Sequence, residues 1–242
     1  MWRAQREALE RAGHRVIAVD LPGHGERRGT PFSIAGALEV LEEAVAGAGE
    51  PVLLVGLSLG GYLAIAFAAA RPNAVAGLVA AGCCTAPRTP LRRVWLRAAR
   101  RIEAWPDSGE RLNAELVRRT LTPEAQADVG AGGFALTVVA QMLEEVADLD
   151  PVADLERVAC PVWLVNGRFD HFRTQERRFR RAASRSGQTA CLVIVPGARH
   201  LVSLDAPAAF TRVLAEAAEV LESRAAVRPL VAPPRPLPCT VD

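Results

Sequence analysis

Short runs of apolar, largely β-branched residues alternate along this chain with stretches in which apolar positions recur every three or four residues. The runs are RVIAVD (15–20), PVLLVGL (51–57), AVAGLVAA (74–81), CPVWLVNG (160–167) and ACLVIV (190–195). Each is hydrophobic almost without interruption, the pattern of strands covered by helices on both sides. Between the first two runs, Ile34, Leu38, Leu41 and Val45 form an apolar helix stripe opposed by Glu39, Glu42 and Glu43. Near the end Phe210, Val213, Leu214, Ala217 and Leu221 repeat the arrangement. Strand, helix and strand in this rhythm predict an α/β fold: a mostly parallel sheet joined by right-handed crossovers, with helices on both faces.

The rhythm divides the chain. Residues 1–85 and 151–224 form the α/β core. Residues 86–150 contain no strand-like run and are expected to be a helical cap inserted between two core strands. That stretch opens with Arg88, Arg92, Arg93, Arg97, Arg100 and Arg101, passes Trp105-Pro106 and ends in GFALTVVAQMLEEV. Its arginines read first as a solvated helix face and second as a greeting for a carboxylate or phosphate. Residues 225–242 are rich in proline, which neither continues a helix nor joins a sheet, so an extended or disordered tail is expected. Its P-x-x-P spacing is read as incidental.

One turn carries chemistry. Gly56-Leu57-Ser58-Leu59-Gly60 is a G-x-S-x-G with an apolar strand running into it and an Ala-rich helix leaving it. The pattern alone is weak, but the strand-to-helix setting is specific. A sharp turn there lifts the serine Oγ above the strand ends. It also places the Leu59 backbone N–H at a helix N-terminus, where it can stabilise an oxyanion. The bland reading is a glycine-rich turn with an incidental serine.

With this motif the sequence resembles the α/β-hydrolase family over residues 2–224. Asp20-Leu21-Pro22-Gly23-His24-Gly25 is similar to the D-x-x-G-x-G turn that family members carry one crossover before the nucleophile. The resemblance implies the order serine, acid, histidine. It assigns Ser58 as nucleophile, Asp170 (after WLVNG) as acid and His200 (in VPGARH) as base. Independently, both side chains follow the C-terminal ends of predicted strands, the edge where ligands bind in open α/β sheets. His171 is a rival base, but it adjoins the proposed acid and is expected to point elsewhere. Asp205 reads as a cap for the last helix. The run ending at Ala81 leads into Gly82-Cys83-Cys84-Thr85, which offers no competing carboxylate.

The family normally opens with further strands and a His-Gly loop that supplies a second oxyanion N–H. Here the chain starts within what matches the first helix, and no strand matches the one expected between RVIAVD and PVLLVGL. Two rows of backbone groups would then lack partners, or the two strands must close up directly. Either upstream residues belong to the working protein or the form is truncated; the retained serine, aspartate and histidine favour the first.

Composition adds exclusions. The formal charge is +2, with arginine as every basic residue other than histidine, so no nucleic-acid partner is indicated. Cys83, Cys84, Cys160, Cys191 and Cys239 show no metal-ligand spacing and read as reduced thiols in a cytoplasmic protein. No secretory leader or membrane span is apparent. The expected function is hydrolysis of an ester or thioester of a small molecule through an acyl-enzyme. No metal or organic cofactor is implied, and the oligomeric state is left open. The same constellation serves amide or carbon–carbon hydrolysis, acyl transfer, lyase and cofactor-free haloperoxidase chemistry. A non-catalytic binding protein of this fold is the alternative of a different kind.

Overall fold

Four of the five apolar runs form one sheet. In the computed structural model, which describes residues 1–131 and 133–227, β1 (Val52–Leu57), β2 (Val75–Ala81), β3 (Val162–Gly167) and β4 (Ala190–Val195) lie in that order, all parallel. The register sets Leu57 beside Ala81, Ala81 beside Val165 and Gly167 beside Val195. All four strands therefore end at one edge.

Alternation along the strands sorts side chains into two cores. Leu78, Ala80, Val162 and Leu164 face α3 (Leu59–Ala70), α8 (Pro151–Leu155) and α9 (Glu176–Ser184), with Phe179 fully buried among them. Val79, Ala81, Trp163 and Val165 face the opposite way, against Phe210, Val213, Leu214 and Ala217 of α11 (Pro207–Val227). Over α11 lies α1 (Arg3–Arg11), the Trp2 ring 6.1 Å from that of Phe210. Helices cover both faces, as the continuous hydrophobicity predicts. The expected α2 spans Ile34–Ala48, starting where Ser33 Oγ accepts from the Gly36 N–H at 3.0 Å and ending at left-handed Gly49.

RVIAVD departs from expectation. It pairs with no strand, and β1 has a neighbour on one side only among the described residues. The segment carries no regular secondary structure, and Ile17 is exposed. Arg15 ties its start to the Gly47 and Ala48 carbonyls at the end of α2, where a cation suits the helix dipole.

Between β2 and β3 the described residues are helical or irregular. They form α4 (Pro90–Glu103), α5 (Glu110–Thr120), α6 (Pro123–Gly130), α7 (Val139–Glu145) and single 3-10 turns at Leu136–Val138 and Val146–Asp148. The arginines divide by helical spacing. Arg88, Arg92 and Arg100 reach Ala147, Leu143 and Glu144 around α7, and Arg93, Arg97 and Arg101 are exposed, as Arg88 and Arg100 also are. At the other end, the predicted tail begins later than residue 225, because 225–227 complete α11; residues 228–242 lie outside the described residues. Among the described residues no helix is long and apolar enough to cross a membrane.

Candidate active site

The site forms where β1, β2 and β3 end and the last strand's loop folds back. Ser58 follows β1 directly and holds φ 57° and ψ −117°, a positive-φ backbone that L-residues rarely adopt. Such a backbone costs about 1–3 kcal/mol and persists only when its surroundings fix it. Here the Ser58 N–H donates to Ala81 O at 2.8 Å, and Ser58 O accepts from the Gly61 and Tyr62 N–H groups.

Two glycines permit the turn. A Cβ at Gly56 would lie 2.1 Å from Gly60 O, and one at Gly61 would lie 2.7 Å from Cys83 Sγ. At Gly60 the space is open, so the second glycine of the pattern is not required by contact. The Leu59 N–H heads α3, in the first turn where no intrahelical carbonyl is available to it.

Sequence positions 58, 170 and 200 converge. His200 Nε2 lies 2.9 Å from Ser58 Oγ, and His200 Nδ1 lies 3.0 Å from Asp170 Oδ1. The Asp170 side chain is fully buried, and its Oδ1 also accepts from the Phe172 N–H at 2.8 Å. Burial alone would raise its pKa; the hydrogen bonds from His200 and Phe172 outweigh that and hold the carboxyl below its ordinary value. An ionised carboxylate only accepts, so His200 Nδ1 carries the proton and Nε2 presents its lone pair to the serine hydroxyl. That is the arrangement in which an imidazole can take a proton from Oγ.

The strand ends make room for the imidazole. Gly82, with φ +60°, follows β2, and a Cβ there would come within 3.2 Å of His200 Cε1. Behind it, the Thr85 and Thr174 hydroxyls lie 2.8 Å apart, tying the loop after β2 to the loop that carries Asp170. Asn166 donates to Glu176 at 2.9 Å and steadies the same loop from within the core.

Two expectations need correction. His171 does not point elsewhere: its ring centroid is 5.1 Å from that of His200, and Phe172 sits 4.2 Å from His171 and 4.9 Å from His200. A short loop after β3 leaves little freedom, so consecutive side chains crowd the same edge. Burial, and then the neighbouring His200, hold the His171 pKa below its usual value. Asp205 ends α10 (Val202–Asp205) and turns back to accept from the Arg199 N–H at 2.8 Å, rather than capping the last helix. Spacing gives no warning of either contact, since both depend on how loops fold together.

Cys83, Cys84, Cys160 and Cys191 are free thiols. Burial raises the pKa of Cys84 to about 12 and of Cys160 to about 11, so they serve as small hydrophobes rather than nucleophiles. Among the described residues no group of three or more histidine, cysteine or acidic side chains is placed to hold a metal ion.

The strand-to-helix turn at Ser58, the loop positions of Asp170 and His200 and the helical segment after β2 together outline one class of fold. Residues 1–213 match the family model described as the alpha/beta hydrolase family, and the chain belongs to that family. It is similar to the pimeloyl-[acyl-carrier protein] methyl ester esterase of Edwardsiella ictaluri (strain 93-146), 40% identical over 80 residues. That stretch is 33% of this chain and 30% of the relative, so the match spans less than a third of the relative's length. Among solved structures, a thermophilic esterase from Thermogutta terrifontis (malate bound) superimposes with a TM-score of 0.71 at 25% identity, covering 91% of this chain and 85% of that one. NosK from Streptomyces actuosus gives a TM-score of 0.66 at 26% identity, covering 91% and 92% of the two chains.

Proposed function

We propose that the chain is a serine hydrolase that cleaves a carboxylic ester or thioester of a small molecule through an acyl-enzyme. The observation that carries this reading is the placement of the His200 imidazole between Ser58 Oγ at 2.9 Å and Asp170 Oδ1 at 3.0 Å. Ser58 Oγ attacks the acyl carbonyl while Nε2 takes its proton, and the carbonyl π electrons move onto oxygen. The Leu59 N–H donates to that oxyanion. Collapse of the tetrahedral adduct expels the alcohol or thiol, which leaves with the proton from Nε2. A water molecule then repeats the sequence and frees Ser58. Asp170 keeps the imidazole in its reactive tautomer and balances the imidazolium.

The esterase names carried by the Edwardsiella and Thermogutta relatives support ester cleavage over the family's other reactions. A purely binding protein would gain nothing from holding Ser58 at φ 57° against about 1–3 kcal/mol of strain. The helical segment between β2 and β3 acts as a cap in this reading, with half-buried Leu136 and exposed Phe134 and Val139 as its apolar contribution to an acyl site.

Intact mass after exposure to a fluorophosphonate tests the proposal. One adduct on the wild type and none on Ser58→Ala is the expected result. No adduct on wild-type protein shown to be folded would overturn it.

A further inference from the structure

We propose that Arg199 latches the helical segment to the loop that carries His200, and thereby sets which acyl groups the site accepts. The substrate half of this inference rests on the hydrolase reading above; the latch itself does not.

The Arg199 backbone is clamped on the core side. The Ala198 and Arg199 carbonyls press so closely on the end of β3 that a Cβ at Gly167 would lie 2.5 and 2.1 Å from their oxygens. Ala198 O accepts from the Phe169 N–H at 2.9 Å, and the Arg199 N–H donates to Asp205 Oδ2 at 2.8 Å. With its main chain fixed, the side chain reaches outward. One nitrogen, Nη2, donates both to Asp205 Oδ1 at 3.2 Å and to the carbonyl of Thr120.

Thr120 is the last residue of α5, so its carbonyl belongs to the final turn, which has no intrahelical donor and carries the negative end of the helix dipole. A guanidinium suits that position. The Asp205 carboxylate is nearly buried, with 8% of its side chain exposed, so the ion pair anchors the arginine at a fixed point. Among the described residues, the remaining side-chain hydrogen bonds and ion pairs of α5 run within the helix or to Asp107, just before it. Arg199 is therefore the polar tie between α5 and the core.

Because Arg199 precedes His200 in sequence, its side chain ties the end of α5 to the loop that carries His200. Where that helix end sits decides how much room an acyl chain finds. A loosened α5 leaves short acyl groups largely unaffected and removes the wall that long ones pack against. A guanidinium half in solvent makes such a tie worth a modest amount.

The test compares wild type, Arg199→Ala and Arg199→Lys by amide hydrogen exchange and by turnover of p-nitrophenyl acetate and octanoate. In Arg199→Ala, exchange over residues 110–121 is expected to rise about five-fold, and the octanoate-to-acetate ratio of kcat/KM to change by a similar factor, chiefly through KM. Arg199→Lys, whose single ammonium can replace the one nitrogen that makes both contacts, recovers most of each effect. Unchanged exchange over α5 overturns the latch. Raised exchange with an unchanged ratio overturns the selectivity. A uniform fall in kcat for both esters would assign Arg199 to supporting His200 alone and also overturns it. If wild type takes no fluorophosphonate adduct, the hydrolase reading fails while the exchange result still decides the latch.

Discussion

Gly82 lies against the edge of the His200 imidazole, where a methyl group would come within 3.2 Å of both Cε1 and Leu57 Cδ1. Its φ of +60° adds a backbone demand that alanine meets poorly. Gly82→Ala should therefore cost about 1–2 kcal/mol in stability. It should also slow fluorophosphonate labelling of Ser58 by about ten-fold, because the ring must shift to accept the methyl group. Chemical denaturation and a labelling time course on one preparation check both. Lost stability with unchanged labelling would show that the imidazole does not depend on the space Gly82 leaves.

Asp170 has a function in this reading and a measurable signature in folding. In Asp170→Asn the side-chain amide can donate toward Nδ1 and favour the wrong tautomer, so kcat should fall by a factor on the order of 10⁴ with KM little changed. The carboxyl is held below its ordinary value by His200 and the Phe172 N–H, against the opposing effect of burial. Its contribution to stability is thus complete above the unfolded-state pKa of about 3.9 and is lost as pH falls from there through the folded value. Denaturation free energies measured between about pH 5 and pH 2.5 should decline more steeply in wild type than in Asp170→Asn. Parallel slopes would contradict the assignment of a depressed pKa.

Much of this site is legible in the sequence because its signals are local. Ser58 is marked by glycines within two residues and by the strand and helix that flank them. Asp170 and His200 come from the order that the α/β-hydrolase resemblance implies, supported by their places after predicted strands, and His200 lies within hydrogen-bonding distance of both Asp170 and Ser58. Val75–Ala81 and Ala190–Val195 are short unbroken apolar runs, and they form strands in a sheet that helices cover on both faces. RVIAVD has the same local pattern and forms no strand, since pairing requires a neighbour that no local signal reports. The contacts of His171 with His200 and of Arg199 with Thr120 were hidden for the same reason. Each joins loops that only the finished fold brings together.

His171 should give the fold a second pH dependence at milder acidity. Burial and the adjacent His200 depress its folded-state pKa, so the unfolded chain binds the proton more readily. The sign follows directly: the contribution is complete above about 6.5, the unfolded value, and is lost as pH falls toward the folded one. Melting temperatures of wild type should decline on acidification from about pH 7 to pH 5, and His171→Gln should flatten part of that decline. A variant with the wild-type slope would mean that His171 titrates as it does in the unfolded chain.

Phe210 tests the face of the sheet opposite α3, the helix that follows Ser58. Its ring is fully buried between α11 and the strands, and Trp2 rests 6.1 Å away at a tilt of 32°, so one side chain supports both α1 and α11. Phe210→Ala removes its packing and leaves a cavity that neighbouring Val213 and Trp163 cannot fill without moving. A loss of about 3–5 kcal/mol is expected, seen as a lower urea midpoint with an unchanged m-value. The contacts that hold Ser58 come from Ala81, Gly61 and Tyr62, none of which belongs to α11. Folded Phe210→Ala should therefore react with a fluorophosphonate at close to the wild-type rate. A matching fall in reactivity would instead show that the α11 face transmits its packing through β2 to the Ser58 turn.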